Sequence, residues 1–194
     1  GIFRLSAPKQ VLDEVVRLYE TGCPPSMHEM VLHDPHVVTC VLKHFLRSLP
    51  IPLLTFDVYD KFIAPNSDVA EKSFRDGVSF DDLKQSIDNL PKAHYDLLKS
   101  ICYLVRKIAE HSDSTKMNES NLSIVFGPNF TWSRDPGSSQ AMDAAGAQRI
   151  MKEQIMQNLL AKRIFEDADK IFDQLDQHDM HDAEEAVLVA DNGR

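Results

Sequence analysis

The chain has 194 residues, 43% of them hydrophobic, enough for one domain with a real core and with no apolar run long enough to cross a membrane. Its formal charge of −9 is uneven: Glu166 to Arg194 holds ten acids against two cations, so the rest is nearly neutral and offers no basic footprint for nucleic acid. Three widely spaced cysteines, Cys23, Cys40 and Cys102, argue against a disulfide framework or a thiolate metal site and fit free thiols in a reducing, cytoplasmic compartment.

In chain order, Gly1-Ile2-Phe3-Arg4-Leu5-Ser6 reads as a loop, with Ile2 and Phe3 anchoring it in the core and Arg4 held between fixed points. Ser6 is placed to cap the next helix and Pro8 to sit in its first turn. That helix spans Pro8 to Thr21, with Val11, Leu12, Val15, Val16 and Tyr19 at helical spacing and Gly22 as its stop. A turn at Cys23–Ser26 and a further segment to His33 follow. Asp34-Pro35 opens a second helix, whose apolar stripe is Val38, Val41, Leu42, Phe45 and Leu46, and Pro50 and Pro52 end it.

Thr55 to Ile63 forms a short helix, and Asn66 to Val78 a polar surface connection. Ser79-x-x-Asp82 resembles a capping box for a helix to Asn89. Leu90-Pro91 starts the longest helix, buried through Tyr95, Leu98, Ile101, Cys102, Val105 and Ile108 and running to about His111. Asn118 to Phe126 is a compact helix that Gly127-Pro128 breaks, leaving Asn129 displayed beyond it. Ser133 to Gly146 is a loop. Two helices, about Gln148–Leu160 and Ala161–Leu175, turn Ile155, Leu159, Ile164, Ala168, Ile171 and Phe172 inward. Past Asp176 the periodicity fades into an acidic, disordered tail. No stretch alternates like a strand. The prediction is an all-α helical bundle forming one domain over 1–175, with a tail over 176–194.

Lys43 and Arg47 lie four residues apart and share one face of the second helix, with Arg47 in its last turn. Alone, such a pair is ordinary surface charge, as a single Arg4 would be. His28, His33 and His36 invite a metal reading, but Leu32 stands where a zincin-like motif needs its second histidine. Three glycosylation sequons, at Asn118, Asn121 and Asn129, read as chance matches. No nucleophile elbow frames any serine. No metal site is expected.

Taken together, three blocks carry a resemblance. Gly1-Ile2-Phe3-Arg4-Leu5-Ser6 resembles the arginine-finger motif of the RhoGAP family. Leu42-Lys43-His44-Phe45-Leu46-Arg47-Ser48-Leu49-Pro50-Ile51-Pro52-Leu53-Leu54 resembles its second motif, and Lys116-Met117 with Asn121–Trp132 its third. They occur in the family's order over residues 1 to about 132. The resemblance implies a helical GTPase-activating domain that speeds GTP hydrolysis by a GTP-bound Rho- or Rac-type small GTPase. Arg4 would be the finger, inserted in trans. Lys43 would contact the GTPase surface, Arg47 would hydrogen-bond the finger loop, and Asn129 would add a polar contact. The domain would need no cofactor of its own, since the partner carries GTP and Mg²⁺, and would catalyse nothing alone. The alternative is a RhoGAP-fold module that docks a GTPase or another protein without activating it.

Two features depart from the family pattern. Ala7 stands where a glycine is usual, which matters if the loop needs φ > 0 there. The sequence also begins within the first motif, so it reads as a piece of a longer protein, and the helix that the family places ahead of the finger is expected to be missing.

Overall fold

The computed structural model describes residues 1–26, 34–64, 74, 77–134 and 144–173, the side chain of Ala145 excepted. His28 and His33, most of the connection at 66–78, the middle of the loop at 133–146 and the tail predicted over 176–194 lie outside the described residues. Every regular element among the described residues is helical.

Helix α1 spans Lys9–Glu20. Its first carbonyl belongs to Pro8, which accepts from the amides of Val11 and Leu12, and no side chain caps it; Ser6, expected as the cap, lies two residues too far back. The helix ends on Gly22, at φ 72°, with the Gly22 amide bonded to Tyr19 O and the Cys23 amide to Leu18 O. This is a Schellman closure, in which glycine takes the left-handed position without a Cβ penalty. Helix α2, Pro35–Ser48, starts as predicted: the Asp34 carboxylate accepts from the His36 amide at 2.8 Å, and Pro35 occupies the first helical position.

A short α3, Thr55–Val58, runs directly into a π-turn over Tyr59–Ile63. Next come α4, Phe80–Asp88, and the long α5, Lys92–Glu110, with Leu98, Ile101, Cys102 and Val105 buried as its spacing predicted. Ser79 precedes α4 but makes no side-chain cap bond. After the single turn α6, Ser112–Thr115, helix α7 runs over Glu119–Phe130.

Two breaks expected from the sequence do not occur. Helix α7 continues through Gly127-Pro128. The backbone bond that Pro128 cannot make would have gone to Ile124, a residue 60% exposed, on the side that water reaches. Phe126 and Phe130, both fully buried, hold the last turn in place across the proline. Helix α8 is likewise one rod, Ala144–Glu166, where two helices were expected; α9, Ala168–Ile171, is a single turn. The buried stripe on this rod is Met156, Leu160, Ala161, Ile164 and Phe165, so Ile155 stays largely exposed.

The main core joins α2, α3, the π-turn, α4, α5 and α7 to α9. Its centre is aromatic, with the Phe126 ring centroid 5.0 Å from Phe3, 5.5 Å from Phe130 and 6.1 Å from Phe165. Helix α1 packs apart from it, through a small cluster of Val15 and Val37 with Ala7, Val38 and Val41 at its edge. Tyr19 and Phe45, both expected inside, instead line an open apolar groove of about 540 Å³ with Val38, Val41, Leu42 and Leu104.

Gly127 sets the approach of α7 to α8. A Cβ there would fall 2.6 Å from Asn158 Oδ1 and 2.8 Å from both Asn158 N and Gln157 C. Backbone cannot yield as a side-chain end can, so Gly127→Ala is expected to cost about 1–3 kcal/mol by overpacking. Thermal unfolding followed by circular dichroism should show a melting temperature lower by about 2–12 °C. An unchanged melt would mean that the two helices separate without cost.

Candidate functional site

The first seven residues form a tight turn followed by an extended stretch into α1. Gly1 O accepts from the amides of Arg4, at 3.0 Å, and Leu5, at 3.1 Å. To close that turn Phe3 adopts φ 68°, in the left-handed region. For a residue with a Cβ this costs about 1–2 kcal/mol. Burial compensates: Phe3 is 3% exposed, and its ring packs on Phe126. Phe3 anchors the loop as predicted, whereas Ile2 is only half-buried at the core's edge.

Two residues of α2 hold the loop on either side of Arg4. Lys43 Nζ donates to Phe3 O at 2.7 Å, and the Ala7 amide donates to Cys40 Sγ at 3.3 Å. Burial pushes the Lys43 ammonium below its ordinary value, an effect that the nearby Arg47 charge reinforces and Cys40 opposes. Ala7 itself does not take a positive φ, so alanine fits where the family pattern has glycine.

Between these anchors Arg4 is exposed, and its guanidinium has no hydrogen-bond or ion-pair partner among the described residues. Its neighbours Leu5 and Ser6 are exposed too. The local result is an exposed cation on an anchored backbone.

The other predicted residues fall differently from expectation. Lys43, from α2, bonds the loop at Phe3 O, next to Arg4, and so makes the loop contact that was expected of Arg47. Arg47 is exposed and makes no bond to the loop among the described residues. The reason is register: the loop crosses α2 at the Cys40–Lys43 turn, and Arg47 lies about 6 Å further along the axis. Asn129 is not displayed at all. It is 4% exposed inside α7, where its Nδ2 donates to Val125 O and its Oδ1 has no partner among the described residues. Cys40 was missed as a contact of the loop, although its spacing from Lys43 and Arg47 places all three along one side of α2.

Among the described residues, then, the chain is a helical domain that offers an unpaired arginine from an anchored loop. The RhoGAP domain family model matches residues 1–135. The chain belongs to the RhoGAP family. It is 37% identical to human Rho GTPase-activating protein 1 over 136 residues, 70% of this chain and 29% of that protein. It is 34% identical to Rho GTPase-activating protein gacJJ of Dictyostelium discoideum over 172 residues, 89% of this chain and 19% of that protein. The chain thus spans less than a third of these relatives. Among solved structures it resembles human Rho GTPase activating protein 15, with TM-score 0.66 and 21% identity over 88% of this chain and 74% of that one. It also resembles the BH domain from GRAF, the GTPase regulator associated with focal adhesion kinase, with TM-score 0.63 and 22% identity over 90% of this chain and 84% of that one. These structural likenesses support the fold.

Proposed function

We propose that this domain accelerates GTP hydrolysis by a GTP-bound Rho- or Rac-type small GTPase, with Arg4 entering the partner's nucleotide site in trans. The observation that carries this reading is Arg4 itself, exposed and unpaired among the described residues on a loop that Phe3, Lys43 and Cys40 hold. Membership of the RhoGAP family, whose model matches residues 1–135, supports it, as do the names of the relatives to which the chain is similar.

The chemistry follows from charge. As the γ-phosphoryl group loosens from the leaving diphosphate, negative charge spreads over its oxygens, and a planar guanidinium meets several of them at once. A finger supplied in trans is worth about 10³–10⁵ in rate, or about 4–7 kcal/mol of barrier. The partner brings GTP, Mg²⁺ and the group that orients the attacking water. Phe3, Lys43 and Cys40 spare the loop the cost of ordering at the moment of docking. Arg47, exposed at the end of α2, is then the cation free to meet the GTPase surface, while Asn129 acts from inside by tying down the last turn of α7. The free thiols of the chain suit a cytoplasmic setting. No helix among the described residues is long and apolar enough to cross a membrane.

Single-turnover GTP hydrolysis by Rho-, Rac- and Ras-type GTPases, with and without this chain, tests the proposal. Acceleration of a Rho or Rac protein, with none for Ras, is the expected result. Affinity for a GTP-loaded Rho-type protein without acceleration would make this a docking module instead.

A further inference from the structure

We propose that Cys40 is a positioning residue for Arg4: its sulfur receives the Ala7 amide and, with Lys43 one turn later, closes a two-ended clasp around the arginine. The inference rests on the reading of Arg4 as the finger and adds a residue that acts through it.

The geometry is specific to the loop. Lys43 fixes Phe3 O, immediately before Arg4, and Cys40 fixes the Ala7 amide, three residues after it. The segment between them, Arg4 to Ser6, is exposed and carries no packing of its own into the core. Without the second hold, the far side of the loop would keep only the packing of Ala7 and α1 on α2, against Phe3, Lys43 and the turn through Gly1 O on the near side. Arg4 would then sweep a wider arc from the same anchor. The Ala7 amide also precedes Pro8, whose extended conformation starts α1, so the bond fixes where the helix begins relative to α2.

Cysteine suits this place for two reasons. Cys40 is 5% exposed and on the side of α2 that packs inward, where a thiol behaves as a small hydrophobe. Its sulfur still has a lone pair for one amide. Serine at this position supplies an acceptor of similar size, and alanine supplies none. The pair therefore separates the hydrogen bond from the packing.

The test measures maximal single-turnover GTP hydrolysis by a responsive Rho-type GTPase with the full chain and with Cys40→Ala, Cys40→Ser, Arg4→Ala and the Cys40→Ala/Arg4→Ala double variant. Cys40→Ala is expected to lower the maximal rate about three- to tenfold, the equivalent of one net hydrogen bond. The half-saturating concentration should move by about twofold or less, because the loss falls on the transition state. Cys40→Ser should recover the rate, and Cys40→Ala should cost nothing further once Arg4 is gone. Hydrogen exchange at the Ala7 amide should quicken in Cys40→Ala and not in Cys40→Ser. Equal losses in the serine and alanine variants, or a loss that persists without Arg4, would overturn the proposal and assign Cys40 to packing. A full rate in Cys40→Ala beside an inactive Arg4→Ala would remove Cys40 and leave the finger standing. A full rate in Arg4→Ala would remove the finger, and the proposal with it.

Discussion

Arg4→Ala is expected to lose about 10³–10⁵-fold in the acceleration of GTP hydrolysis, the whole contribution of a finger supplied in trans. The same substitution should leave the fold intact. Arg4 is exposed and unpaired among the described residues, and surface substitutions of that kind usually fall within about 0.5 kcal/mol. A lost rate beside an unchanged melting curve would therefore report chemistry and not folding. Arg4→Lys should recover little, because an ammonium is a point charge and cannot span several phosphoryl oxygens in one plane. Single-turnover kinetics at saturating domain, with thermal melts of each variant, separate these effects. A surviving rate in Arg4→Ala would send the search for the cation to Arg47.

Phe126→Ala is expected to be the most damaging single change to the core. Phe126 is fully buried, and its ring meets those of Phe3, Phe130 and Phe165. Truncating such a side chain costs about 3–5 kcal/mol in lost transfer energy and cavity. In a chain of this size that lowers the melting temperature by about 6–20 °C. The effect should not stop at stability, because Phe126 is what the Phe3 ring rests on. Measured well below both melting transitions, the variant should still show slower stimulated GTP hydrolysis, with Arg4 present but poorly held. Phe126→Leu, which keeps most of the volume, should cost less on both counts. A destabilised Phe126→Ala with a full rate would show that the loop holds itself without the core.

The helical class and most helix positions were legible because periodic apolar residues and end signals agree. Asp34-Pro35 and Gly22 mark their ends by local chemistry, and the structure uses both in that way. What failed was whatever tertiary packing decides. Gly127-Pro128 reads locally as a break, yet buried rings on both sides of the proline keep α7 going, and Gly127 serves a neighbouring helix instead. Asn129 was read as surface because of that supposed break. The Lys43–Arg47 pair was read correctly as one face, but which of the two meets the loop depends on where the loop crosses α2. Ser6 was a sound cap by type, one that the helix start at Lys9 leaves unused. Cys40 gave no signal of its own, since an amide needing an acceptor is visible only after the chain has folded.

Position 3 has little freedom in sequence space. Its backbone is left-handed and its side chain lies in the core, and the twenty amino acids offer no residue that is comfortable with both. Glycine would relax the backbone and empty the seat on Phe126, and asparagine would tolerate the dihedral and bury an amide. Valine or isoleucine would fill space while worsening the backbone, because β-branching is least compatible with positive φ. Engineers wishing to stabilise this domain should therefore leave Phe3 alone and work elsewhere, since each apparent improvement at that residue trades one defect for another directly beside the arginine.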